Sequence, residues 1–331
     1  VYNLYSQRKV FEKTDSFFEN LNVNCTLYKI FDKEVKTVEQ FLQQLINGLS
    51  LGSIYALIAL GYTMVYGIIN LINFAHGDIY MLGAYIGFAV TTYLHLGFLP
   101  SLIMTMLLCA IIGIIVEKIA YKPIRNSTRI AALITAISVS LFLEYGTMYF
   151  VKAETRTFPK VLENKSIKLF SGSLILNSID IYIILITIFL MLLLQYIIYK
   201  TKVGKAMRAV AMDRDAAEYM GISVNKTVSF TFAIGSALAG AAGVLVGVYY
   251  NSINPLMGIL PGLKAFIAAV IGGIGVIPGA MFGGYFLGMT ETMVSAYGGS
   301  LYKDGVSFAI LILILLVKPN GLLGKNTKEK V

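Results

Sequence analysis

Residues 200–226 read KTKVGKAMRAVAMDRDAAEYMGISVNK, a charged segment set between two long apolar runs. Lys200, Lys202, Lys205, Arg208, Arg214 and Lys226 stand against Asp213, Asp215 and Glu218. Val203, Met207, Val210 and Ala211 recur at helical spacing, which predicts a short amphipathic helix with one apolar face. A basic loop between membrane spans is normally cytoplasmic. An ordered helix in such a loop needs a surface to dock on, so the segment reads as a place where force arrives from a partner. The same charges would also serve topology alone, and composition leaves both readings open.

Outward from this loop the chain is oily. Of 331 residues, 57% are hydrophobic and 14% charged, against about a quarter charged in soluble domains. Several runs reach the roughly 20 residues a helix needs to cross a bilayer. They do not alternate, which excludes a β-barrel. The fold class is all-α: a polytopic membrane protein with about eight or nine transmembrane helices, some of them broken. A formal net charge of +9 belongs to cytoplasmic loops and does not indicate nucleic acid. Cys25 and Cys109 suggest neither a disulfide nor a metal pair. With no Trp and 21 Tyr, an interfacial aromatic belt must use Tyr.

Residues 1–38 differ in kind: mixed in charge, without an apolar core run, and lacking the regions of a signal peptide. They are expected to be a polar extension, either a small tail or translated sequence upstream of the native start. Residues 39–331 form the transmembrane domain. Its first apolar segment, Leu45 to Leu71, ends in Asn73-Phe74-Ala75-His76-Gly77-Asp78. Spans follow from about Ile79, Pro100, Ile130, Ile181 and Val228. Residues 117–129 are short and basic, so cytoplasmic, and the polar stretch 151–180 is placed outside. Lys264 to Ala296 would extend roughly 50 Å as one helix, too long for one span. Gly272, Gly273, Gly275, Pro278 and Gly279 break it, so two spans or half-helices are expected. Gly305 to Val317 is a short last span. Met81-Leu82-Gly83-Ala84-Tyr85 and Met281-Phe282-Gly283-Gly284-Tyr285 look alike, each after a break; unrelated packing of the two would mark the likeness as chance.

Catalytic patterns are missing. No phosphate-binding G-x-x-x-x-G-K-[ST] occurs, so the chain binds no ATP itself, and H-E-x-x-H, C-x-x-C and G-x-S-x-G are absent. Ionisable and amide residues at membrane depth are costly and invite a functional reading. The substrate-path candidates are Asn73, His76, Asp78 and Glu291. A broken helix at Asn73 to Asp78 would free backbone groups for a small polar solute. The structural alternatives are that Asp78 caps the following helix, that His76 sits in a satisfied hydrogen bond, and that Glu291 and Glu144 lie near the outer ends of their spans.

Asn47 to Phe88 (NGLSLGSIYALIALGYTMVYGIINLINFAHGDIYMLGAYIGF) resembles the first part of LivH-type permeases, membrane subunits of branched-chain amino-acid ABC importers. Tyr121 to Ser140, Gly262 to Gly288 (GLKAFIAAVIGGIGVIPGAMFGGYFLG) and the end VKPNGLLG fit the same family. The likeness runs from Val38 to the C-terminus, whereas residues 1–38 have no counterpart. Asp215-Ala216-Ala217 with Gly221 is similar to the Glu-Ala-Ala…Gly pattern of ABC importer permeases, with Asp in place of Glu. The resemblance implies that Arg208, Asp215, Ala216, Ala217, Glu218 and Gly221 form a loop coupling to a separate ATPase. It implies a transport subunit rather than an enzyme, with ATP held on two ATP-binding partner subunits. A second, LivM-like permease, an extracytoplasmic binding protein and lipid of the bacterial inner membrane are the other implied partners. Leucine, isoleucine and valine are the implied substrates. Urea, short amides or a sugar are the alternatives within the class, and an ATPase-independent channel or carrier is the alternative outside it.

Overall fold

The computed structural model describes residues 25–69, 71, 73–125, 127–169 and 174–324. The chain is helical, with four short strands: α1 Cys25–Ile69, α2 His76–Tyr93, α3 Phe98–Val116, α4 Arg129–Val151, β1 Arg156–Thr157, β2 Ser166–Leu169, β3 Leu174–Asn177, α5 Ser178–Lys200, α6 Lys202–Met212, α7 Arg214–Tyr219, α8 Val224–Tyr250, β4 Ser252–Ile253, α9 Ile259–Gly272, α10 Ile277–Met293 and α11 Lys303–Val317. A π-helical turn, Glu117–Tyr121, continues α3, and another, Val294–Gly298, follows α10. The expected boundary at residue 38 falls inside α1. Residues 1–24 and the basic tail 325–331 lie outside the described residues.

Five segments among the described residues are long and apolar enough to cross a membrane: Thr37–Ile69, Phe98–Ile124, Ile130–Val151, Ser178–Lys200 and Val224–Tyr250. The first and last are mostly buried within the chain, whereas Ile130–Val151 is mostly exposed, so α1 and α8 are the central pair and α4 is peripheral. The more apolar α3 and α5 are also largely exposed, as suits helices that face lipid. Small residues let the central helices approach closely. Gly61 of α1 meets Gly235 of α8, and Gly284 of α10 lies on Ala56 of α1, where a Cβ would stand 2.5 Å from the Ala56 backbone.

The break expected within Lys264 to Ala296 is observed at Gly273 to Val276, between α9 and α10. Gly273 and Gly275 have φ of +103° and +87°, values that side-chain-bearing residues rarely adopt. The corresponding glycines of the two look-alike stretches have different neighbours: Gly83 of α2 packs on Gly240 of α8, whereas Gly283 of α10 packs on the Ala268 carbonyl of α9.

The basic segments gather at one end. Arg125 donates to Asn225 Oδ1 at 2.8 Å, and Arg214 reaches the end of α1. Residues 320–324 lie on Gly273, with Leu322 N–H donating to the Ile271 carbonyl. Positive charge marks this end as cytoplasmic. At the opposite end β1 pairs with β4 and β2 with β3, both antiparallel, and Gln43 of α1 bonds the backbone of Ile175 through both amide atoms at 3.0 Å.

Candidate functional site

Two helices begin inside the protein. α1 ends at Ile69, yet the start of α2 lies back at the level of Gly61, where an added side chain would strike the His76 ring. Eight residues of helix separate those levels, about 12 Å. The chain therefore turns back inward between Ile69 and His76. Asn73 is held there by Tyr121, whose hydroxyl donates to Asn73 Oδ1 at 2.6 Å. From the other side, the segment after α8 dips in so that Gly258 and Gly262, at the start of α9, meet Gly77. A Cβ on Gly77 would lie 2.5 Å from the Gly258 carbonyl oxygen. With 14 residues, α9 is about 21 Å long and does not span a roughly 30 Å hydrocarbon core. The partially positive N-termini of α2 and α9 thus converge at membrane depth.

Beside that convergence lies a cavity of about 430 Å³, walled by α2, α4 and α9, within the usual 300–1,000 Å³ of small-molecule sites. Phe74, Leu133, Ile137, Leu141, Ile259 and Leu263 make it largely apolar, and Tyr62, Asp78 and Ser140 supply its polar side chains. Ser140 on α4 donates a short hydrogen bond to Asp78 Oδ2. Asp78 does not cap α2: the N-cap position is Ala75, without a side-chain cap bond. As the third helical residue it turns to α4 instead, while its charge still suits the helix start. His76 is 1% exposed and packs edge-on against Tyr62 at 4.8 Å. Its Nε2 has no partner, nor does Asn73 Nδ2; the hydrogen bond expected of His76 is made with the Ile58 backbone. Asn73 and His76 stand behind the cavity wall and do not line it.

Glu291 is elsewhere. It lies 4% exposed in the last turn of α10 and is clamped by Lys264 Nζ at 2.6 Å and by the Tyr55 hydroxyl at 2.9 Å. Lys264 also meets Asp304 at 2.6 Å, and Lys303 approaches Glu291 at 3.6 Å. Lys264 opens what reads as an apolar run, and its pairing was not foreseen. The signal was present, since two buried opposite charges each demand a partner. Ser140 was likewise missed, because one hydroxyl in an apolar span leaves no pattern.

The cytoplasmic loop forms two helices joined at Asp213. Thr201 caps α6 by accepting from Gly204 N–H at 3.1 Å, and Asp213 caps α7 by accepting from Ala216 N–H at 2.9 Å, the usual role of Thr and Asp there. The packed face of α6 is Gly204, Met207 and Val210. Val203 and Ala211, expected on that face, are exposed. Gly204 sits so close to the carbonyls of Ile197 and Ile198 that it sets the rotation of the helix. Arg208 donates to the Ile198 carbonyl and lies 5.5 Å from the Tyr199 ring centre, fastening α6 to α5. In the Asp215-Ala216-Ala217 stretch Ala217 is buried, and Asp215 and Glu218 are exposed. Gly221 ends α7 at φ +80° with open space around it. Backbone conformation, not crowding, requires glycine there.

Arg214 ties this loop to the core. Its guanidinium donates to the Ile69 carbonyl at 2.7 Å, one of the carbonyls left free at the end of α1. Partial burial, and then neighbouring Arg125, hold its pKa below the usual arginine value, yet arginine stays charged. Met212, Tyr219 and Met220 project into solvent at 90%, 89% and 83% exposure.

Broken helices beside a cavity, with a structured cytoplasmic loop pinned to a core helix, define a multi-span permease. A family model described as "Branched-chain amino acid transport system / permease component" matches residues 44–315, and the chain belongs to this family. It is 44% identical over 307 residues to the high-affinity branched-chain amino acid transport system permease protein LivH of Salmonella typhimurium, covering 88% of this chain and 98% of the relative. It is 43% identical over 304 residues to the corresponding permease BraD of Pseudomonas aeruginosa, covering 89% and 99%. Similarity to the ribose import permease RbsC of Haemophilus influenzae is 29% over 133 residues, covering 38% of this chain and 41% of the relative. No solved structure matches.

Proposed function

We propose that this chain is the permease subunit of an ATP-driven importer that carries leucine, isoleucine and valine across the bacterial cytoplasmic membrane by alternating access. Its partners are two ATP-binding subunits, which hold the ATP, a second LivM-like permease and an extracytoplasmic amino-acid-binding protein. Substrate delivered at the outer end enters near residues 251–258 and reaches the cavity at the start of α9. Met212, Tyr219 and Met220 offer an apolar knob to a groove on the ATPase.

The observation that carries this reading is the path from that knob to the cavity. α7 holds the end of α1 through Arg214, and seven residues later the chain begins α2 at the cavity wall. Displacement of the loop is thereby passed to Phe74, Gly77 and Asp78. A passive channel has no use for such a docking helix. The ribose permease similarity favours a second reading, import of a sugar. The lining argues against it: a sugar needs many polar contacts, and this cavity is mostly apolar.

The test is Gly221→Arg, which places a long charged side chain at a left-handed backbone position outside the membrane. Membrane insertion is expected to persist while ATP-driven leucine uptake into proteoliposomes disappears; full uptake would refute the coupling role. Purification in mild detergent is expected to recover ATP-binding subunits and a second permease together with this chain.

A further inference from the structure

We propose that Asp78 reads the α-ammonium group of the amino acid as it passes through the cavity between α2, α4 and α9. This rests on the import function above and assigns the part of the substrate that the cavity recognises.

Asp78 is 2% exposed and forms no ion pair among the described residues; its side-chain partner is the Ser140 hydroxyl. A carboxylate at membrane depth without a cation is costly and marks a functional place. Glu144, one turn beyond Ser140 on α4, is 6% exposed, also without an ion pair among the described residues, and lies within electrostatic range of Asp78. Carboxylates at this place attract a cation and repel an anion.

The rest of the cavity suits the rest of the substrate. Leu133, Ile137, Leu141, Ile259 and Leu263 give a surface for an aliphatic side chain without hydrogen-bonding features that would separate leucine from isoleucine or valine. Ammonium and aliphatic side chain are common to all three, so the cavity passes them as a class. Ser140 holds Oδ2, while Oδ1 lies beside Gly258 at the start of α9, so the ammonium group would meet the carboxylate between α4 and α9.

The experiment uses the assembled importer in proteoliposomes with its binding protein. Asp78→Asn and Asp78→Glu are assayed for leucine uptake and for ATP hydrolysis stimulated by the loaded binding protein. A lost charge-assisted hydrogen bond corresponds to a drop of about tenfold to a hundredfold in uptake. That drop is expected for Asp78→Asn, with stimulated hydrolysis retained and partial recovery in Asp78→Glu. In parallel, Leu141→Cys reports occupancy through its rate of thiol labelling. Leucine and 3-methylbutylamine, which keeps the ammonium group, are expected to slow labelling, whereas 4-methylpentanoate, which lacks it, leaves the rate unchanged. Asp78→Asn should abolish that protection. Uptake by Asp78→Asn within twofold of the parent, or protection by 4-methylpentanoate equal to that by leucine, would overturn the proposal. Failure of the unsubstituted importer to take up leucine would instead sink the import reading, so the two failures are told apart.

Discussion

Glu291 and Asp78 are both acidic residues buried in an apolar chain, and their surroundings are opposite. Glu291 is matched by Lys264, approached by Lys303 and bonded by Tyr55. Nothing about it is left open to a ligand, and the group ties α1, α9, α10 and α11 together at the outer end. Asp78 has one hydroxyl partner and a cavity before it. Burial alone therefore says little about a charged residue. A charge neutralised by its own chain belongs to the architecture, and one that awaits a cation belongs to the traffic.

Several substitutions break or sharpen that contrast. Glu291→Gln removes one of the two carboxylates on Lys264 and leaves it the part-exposed Asp304; it is expected to destabilise the subunit by about 1–3 kcal/mol, read as a lower thermal midpoint in detergent. Replacing both members, Lys264→Met with Glu291→Leu, should recover most of that loss, because an apolar pair of similar volume is often neutral. A double variant as unstable as the single one would show that the cluster does more than neutralise itself. Gly221→Ala, at a positive φ outside the membrane, should cost about 1 kcal/mol and weaken coupling less than Gly221→Arg. Asp78→Asn should move the thermal midpoint little, since no ion pair is lost. A drop as large as that of Glu291→Gln would place Asp78 with the architecture. Glu163→Gln, which removes the exposed pair with Lys165, is expected to leave stability and uptake unchanged.

How much of this could be read from the residues differs from part to part. The apolar runs, the basic loops and the glycine break before Ile277 are local signals, and the helices lie where they point. The break at Asn73 to Asp78 was legible because a polar cluster interrupts an apolar run. The partner within it was not: Asp78 does not make the cap that its place at a helix start allows and turns instead to Ser140, 62 residues away. The loop helix was legible from its spacing, but its packed face was misassigned at Val203 and Ala211. Gly204, closest to α5, carries no side chain and so no hydropathy.

The sequence by itself determined that this chain is a helical membrane protein, which end faces the cytoplasm and where its helices break. Helix length, apolar composition and loop charge act over short stretches and need no knowledge of neighbours. Only the tertiary structure decided which buried charges meet and which face a void. Partners such as Lys264 with Glu291, Asp78 with Ser140 and Arg214 with Ile69 are chosen by helix crossing. Crossing depends on small residues from distant parts of the chain, as where Gly77 meets Gly258 and Gly61 meets Gly235, and their backbones must approach together before a cavity exists between them.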